Sequence, residues 1–132
     1  MTEISNNSRY LFRGKRIDNS EWVEGELRRN FAEDPIQCYI MLTDGIGVTF
    51  EVIPGTVGQL LKKDRFCYFE GDLLRSSKNG IGVIEYDAIA TQAVVRYGNG
   101  DWQGLFWFMV NEPEKYKVPI GNIHDNPDFL AP

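Results

Sequence analysis

The sequence predicts a mainly β protein with at most one short helix, on three observations. Short runs alternate apolar and polar residues, turn-forming clusters of Gly, Pro, Asn, Asp and Ser separate them, and aromatic residues make up 13% of the chain. With 132 residues the chain fits one domain, or two small lobes sharing a core. We expect a frayed polar leader over residues 1 to 8, then a single domain over 9 to 132. That domain comprises an N-terminal antiparallel meander (9 to 53), a joint (54 to 65) and a C-terminal lobe (66 to 132) built as a small β-barrel.

The meander begins with "YLFRGKRIDNSEWVEGEL", two strand-like runs around Asp18-Asn19-Ser20, whose side chains can hydrogen-bond their own backbone in a turn. In the second run Val23, Gly25 and Leu27 alternate with Trp22, Glu24 and Glu26, so one face is apolar and the other carries acids. "RRNFAEDP" reads as loop. "IQCYIML" reads as a strand with Ile36, Cys38, Ile40 and Leu42 on one side. Asp44-Gly45 signals a hairpin into "VTFEVI", with Val48, Phe50 and Val52 in phase. Pro54 stops that strand because it has no N–H for the ladder.

Thr56-Val57-Gly58-Gln59 has the form of a capping box, so we expect one or two helical turns over Leu60 to Lys63, the lysines suiting a helix C-terminus. Gly58 opposes this by about 1 kcal/mol relative to alanine. Strands return at "FCYF", "LLR", "IGVIEYD" and "TQAVVRY", and "LFWFMV" reads as a fully apolar central strand. "VPIGNI" is the last strand expected, before a tail with turn chemistry at Asn126-Pro127.

A formal net charge of -5 sets the overall field against phosphate backbones. Basic residues come in short clusters flanked by acids: Arg13, Lys15 and Arg16, then Arg28 and Arg29, then Lys62, Lys63 and Arg65. The opening residues lack the apolar core of a signal peptide and no stretch approaches a membrane span, which points to a cytoplasm and to no membrane partner. Cys38 and Cys67 are not at C-x-x-C spacing, so they read as two buried reduced thiols and not as a redox pair or zinc ligands.

Four stretches stand in order along the chain: "FRGKRIDNSEWVEG" (12 to 25), "EVIPGTVGQ" (51 to 59), "FEGDLLR" (69 to 75) and "IGNIHDNPDFL" (120 to 130). Together they resemble the YopX family, small proteins encoded by bacterial phages and prophages. The residues carrying the resemblance are Phe12, Arg13, Gly14, Trp22, Pro54, Thr56, Gly58, Gln59, Glu70, Gly71, Asp72, Gly121, Asn122, Asn126 and Pro127. The family usually has "TGL-x-D-x-x-G" between its second and third stretches, where this chain has the shorter "LLKKDRFCY". Pro54-Gly55-Thr56 also replaces the commoner Pro-Glu-Thr. The resemblance implies mostly β structure and expression in the cytoplasm of an infected or lysogenic bacterium. It implies no catalytic residues, because the family's activity is uncharacterised.

Several residues invite a chemical reading. Glu70 and Asp72, two apart, would share a strand face as paired carboxylates, yet glycine followed by an acid also turns a corner in β structure. His124, Asp125 and Asp128 could form a metal or acid–base cluster, but the chain has one histidine and no second ligand at zinc spacing. Ser76 and Ser77 lie in a polar turn without a nucleophile elbow. Gly80-Ile81-Gly82 and Gly98-Asn99-Gly100 precede no helix, so they read as hairpin turns and not phosphate loops. We therefore expect no catalytic residues, metal or cofactor.

The aromatic group is the stronger signal. Tyr86, Tyr97, Trp102, Phe106, Trp107 and Phe108 crowd one region, and strand alternation over 105 to 109 would turn one set of them outward. Together with Trp22, the residues Tyr97, Trp102, Phe106, Trp107 and Phe108 form the candidate interaction surface. The function expected is a non-enzymatic module that binds a host or phage protein, with single-stranded nucleic-acid binding through the basic clusters as the alternative. A homo-oligomer would cover the same apolar surface without a foreign partner.

Overall fold

The computed structural model describes residues 11–130, so the expected leader lies outside the described residues. The chain is mainly β, with eleven short strands and one seven-residue helix among the described residues. It divides into two compact units, residues 1–62 and 63–132.

The first unit contains β1 (Phe12–Lys15), β2 (Trp22–Asn30), β3 (Gln37–Met41), β4 (Thr49–Val52) and β5 (Gly58–Lys63), in the sheet order β4-β3-β2-β1-β5. β2 runs on through Arg28–Asn30, which pair with β3, so the stretch read as loop is loop only from residue 31. Cys38, Ile40 and Val52 form the buried centre, and Phe12, Val23, Leu27 and Val57 pack against it. These are the apolar faces that period-two alternation assigns. Ile36 and Val48, expected in the same phase, lie at strand ends and are exposed.

The sheet curls around this centre. Arg16 bridges to Val52, the Ile17 N–H donates to Glu51, and the Ile53 N–H donates to Lys15, bringing the end of β1 against β4. A Cβ on Gly25 would sit 2.1 Å from the Met41 carbonyl oxygen, so only glycine allows that approach.

Two expectations about the joint are corrected. Pro54–Thr56 is a single 3-10 turn, and the residues expected to be helical form β5, paired with β1 at Arg13↔Gly58 and Phe12↔Gln59. The Thr56 hydroxyl does satisfy a free backbone N–H, but it is that of Lys15 at 2.9 Å, not one of its own segment. Strand pairing outcompetes a short helix whose glycine already weakens it.

The second unit contains β6 (Cys67–Phe69), β7 (Asp72–Ser76), β8 (Gly80–Asp87), β9 (Gln92–Tyr97), β10 (Trp102–Gly104), α1 (Leu105–Asn111) and β11 (Gly121–Asn122). Five of its strands make an open antiparallel sheet in the order β10-β9-β8-β7-β11, so the barrel expected here does not close. The adjacent pairs Leu73-Leu74 and Val94-Val95 are all fully buried, so both faces of this sheet are covered. The last strand shrinks to two residues, Gly121 and Asn122, paired with Leu73 and Asp72.

Each unit also carries a hairpin tip of the same construction. Asp44 Oδ1 accepts the N–H groups of Ile46 and Gly47 at 2.9 and 3.4 Å. Asp87 Oδ1 accepts those of Ile89 and Ala90 at 2.9 and 2.8 Å. The isoleucines at these tips stand out in solvent, 79% and 97% exposed.

Candidate interaction surface

The segment read as a central strand, "LFWFMV", is the helix α1, which overturns the alternation argument built on it. Leu105, Phe108 and Met109 are buried at the i, i+3, i+4 spacing of one helical face, and α1 packs on β9 and β10. The run has no β-branched residue before Val110, so it resists helix formation little. Pro113 favours extended backbone at Glu112, where the helix stops.

Anchoring that face turns the other outward. Phe106 is 73% exposed, Trp107 48% and Val110 63%, and Trp102 on the preceding strand is 42% exposed. These values identify the candidate surface by position. Val110 belongs to it as well, one residue beyond the 105 to 109 stretch of that alternation; helical spacing places it four residues after Phe106 and three after Trp107.

Three residues of the expected surface do not join this patch. Phe108 is fully buried, and Tyr97 is buried with its hydroxyl donating to Gln103 Oε1 at 2.6 Å. Burial pushes the Tyr97 phenol above its ordinary value. Trp22 lies in the first unit, half-buried, with the Arg13 guanidinium 4.6 Å and the Lys15 ammonium 5.6 Å from its ring centre.

Several residues of the basic clusters are engaged within the chain. Arg16 binds Asp18 through Nε and Nη2 at 2.9 and 2.6 Å and lies 4.1 Å from the Phe50 ring centre. The same contact holds the Asp18 carboxyl below its ordinary range. Arg28 pairs with Glu26 at 2.7 Å and Arg65 with Glu114. Lys62 is half-buried and Lys63 exposed.

Among the acids and hydroxyls singled out in the sequence, Asp72 and Ser76 bond the backbone. Asp72 is buried and accepts the Phe69 N–H at 2.8 Å, while Gly71 turns the corner at φ +91°. Glu70 and Gly71 form the turn, so the shared strand face expected for Glu70 and Asp72 does not exist. Asn122 Oδ1 accepts the N–H groups of both His124 and Asp125 at 2.9 Å, and its Nδ2 donates to Asp125 Oδ2 at 3.0 Å. Asp128 lies exposed in the 3-10 turn Pro127–Leu130. Among the described residues no three His, Cys, Asp or Glu side chains are placed to hold a metal ion.

Ser76 is buried and its hydroxyl accepts the N–H groups of Lys78 and Asn79. Ser77 donates its N–H to the buried Glu112 carboxylate. Gly80 and Gly100 turn hairpins at φ +80° and +93°. Cys38 is buried as expected, while Cys67 is only partly buried, and both are free thiols.

Two clefts open in the second unit. One of about 420 Å³ lies among Asn79, Tyr97, Asp101, Trp102 and Gln103. The other, about 240 Å³, has Phe66, Tyr68 and Met109 in its lining and Asp64, Arg65, Glu114 and Lys117 around them. No described helix is long and apolar enough to cross a membrane. Comparison of the chain with protein-family models, with curated proteins and with solved structures finds no match.

Proposed function

We propose that this protein is a non-enzymatic protein-interaction module, phage- or prophage-encoded like the family its motifs resemble, and active in a bacterial cytoplasm. The observation that carries the reading is the outward face of α1. Phe106, Trp107 and Val110 are exposed together on a helix whose opposite face is fixed by Leu105, Phe108 and Met109. Aromatic side chains held on a rigid element are the usual anchors of a protein interface. A non-enzymatic role is supported by Asp72 and Ser76, two of the groups singled out in the sequence, whose side chains accept main-chain N–H groups.

A photocrosslinking residue at position 107 tests the proposal. It should capture one specific partner, or a second copy of the chain, and the double variant Phe106→Ser, Val110→Ser should abolish that capture. Monomeric behaviour by light scattering together with no crosslink in a folded sample would defeat the reading. The nucleic-acid alternative loses support because Arg16, Arg28 and Arg65 already face carboxylates; salt-sensitive retardation of single-stranded DNA or RNA would restore it.

A further inference from the structure

The sequence holds two Asn-Gly pairs, Asn79-Gly80 and Asn99-Gly100, and each sits at the tip of a hairpin in the second unit, β7 to β8 and β9 to β10. Glycine has no side chain to shield its nitrogen, so that nitrogen can reach the carboxamide carbon of the asparagine before it. Both asparagines are exposed, and both glycines have positive φ, +80° and +93°. A Cβ on either glycine would meet nothing within 4 Å. The two pairs are thus alike in sequence, solvent access and backbone hand.

Hydrogen bonding separates them. Asn99 Oδ1 accepts the Asp101 N–H at 2.9 Å, and its Nδ2 donates to Asp101 Oδ2 at 3.1 Å. The Gly100 nitrogen is also held, donating its proton to the Tyr97 carbonyl at 2.9 Å. Attack at Asn99 must release all three bonds. Asn79 is fixed through its backbone N–H, which donates to Ser76 Oγ at 2.5 Å, while its side chain meets the Tyr97 phenol alone among the described residues. Gly80 stands at the last rung of the β7–β8 ladder, opposite Ser76, where strand pairs open most easily.

We propose that Asn79 is a site of spontaneous deamidation and that its hold on Asp101 protects Asn99 from the same reaction. The Gly80 nitrogen bonds to Asn79 Cγ and gives up its proton. The Cγ–Nδ2 bond breaks, ammonia leaves with that proton, and a succinimide closes. Water then adds to one of the two ring carbonyls and opens the ring, leaving aspartate or isoaspartate at position 79. Either product puts a carboxylate where a neutral amide stood, on the 420 Å³ cleft that Asp101 also lines. Like charges facing one cleft oppose each other, so the modified chain carries a more acidic and less stable tip.

Incubation of the folded protein in mildly alkaline buffer, followed by proteolysis and peptide mass spectrometry, tests the proposal. A parallel sample unfolded in guanidinium chloride gives the intrinsic rates, which should be similar at the two sites. In the folded protein Asn79 should convert about tenfold faster than Asn99 or more, because each hydrogen bond that Asn99 must release slows it several-fold. Asp101→Ala removes the acceptor of Asn99 Nδ2 and should bring position 99 toward the rate of position 79. Asn79→Gln should abolish the first acidic species that appears on isoelectric focusing. Equal rates at the two sites in the folded protein, faster conversion at Asn99, or an intact Asn79 under conditions where the unfolded chain reacts would overturn the proposal. So would an Asp101→Ala variant in which Asn99 reacts as slowly as before.

Discussion

The backbone N–H of Lys15 donates to the Thr56 hydroxyl at 2.9 Å, across 41 residues of chain. The same hydroxyl donates to the Ile53 carbonyl at 2.6 Å, so one buried side chain ties the end of β1 to the turn that precedes β5. Two of the four sequence landmarks meet at this point. The other two meet in the second unit, where Gly121 and Asn122 pair with Leu73 and Asp72 and the Ile123 N–H donates to Gly71. Each landmark is thus half of a backbone junction.

Thr56→Val should remove both hydrogen bonds and leave the Lys15 N–H without its acceptor, costing about 1–3 kcal/mol. Thr56→Ser keeps the hydroxyl and should cost less. Urea midpoints for the two variants decide the matter, and equal midpoints would refute the assigned role.

Gly25→Ala should destabilise the first unit by about 1–3 kcal/mol or more, because its Cβ would press against the Met41 carbonyl at 2.1 Å and the backbone must shift. Gly55→Ala meets nothing within 4 Å and should be close to neutral. Thermal denaturation of the pair provides an internal control for the general effect of removing a glycine.

Asn126 Oδ1 accepts the Asn122 N–H at 3.1 Å and occupies the space a Cβ on Gly121 would need, at 2.2 Å. Asn126→Ala should cost about 1–3 kcal/mol through the unsatisfied N–H. Gly121→Ala should act by evicting the same oxygen, so the double variant should cost less than the sum of the singles. Strict additivity in a denaturation cycle would count against this linkage.

Stability should fall at both ends of the pH scale for separable reasons. Burial, with the charges of Asp64 and Glu114, raises the Tyr68 phenol above its ordinary 10.0, and burial likewise raises Tyr97. A raised folded value means the folded state holds its proton longer, so this contribution is complete below pH 10.0 and declines as pH rises through the folded values. Asp87 behaves oppositely. The Ala90 N–H, with Arg96, lowers it below 3.8, so its contribution is present above that pH and lost on further acidification. Tyr68→Phe should flatten the alkaline limb, and Asp87→Asn the acid limb, in denaturation midpoints measured against pH.

Phe106→Ser and Trp107→Ser should change stability by no more than about 0.5 kcal/mol, as exposed substitutions do. Phe108→Ala, one residue further, should cost about 3–5 kcal/mol. Comparable losses at all three positions would mean that the outward face of α1 is covered.

The β character and most strands were legible because period-two alternation needs only a local window, as Cys38 with Ile40 and Val23 with Leu27 demonstrate. The errors fall where a long-range contact decides between local alternatives. Leu60 to Lys63 follow a capping signal, but they continue β5, whose first residues, Gly58 and Gln59, pair with β1. Residues 105 to 110 are apolar at nearly every position, so neither period is distinct, and the choice of helix comes from packing on β9 and β10. Aromatic composition therefore located the candidate surface, while the helix determined which aromatic residues face outward. Legible too was the turn chemistry of Glu70-Gly71-Asp72, although not that its partner would be a segment 50 residues later.

The hairpin tips at Asp44 and Asp87 separate shape from display. In each, a carboxylate holds the backbone of the bend while the isoleucine above it contacts little, so the outline survives whatever side chain stands there. Natural variation can rewrite positions 46 and 89 freely as long as the aspartates persist, letting the molecule change what it shows to its surroundings without relearning how to fold.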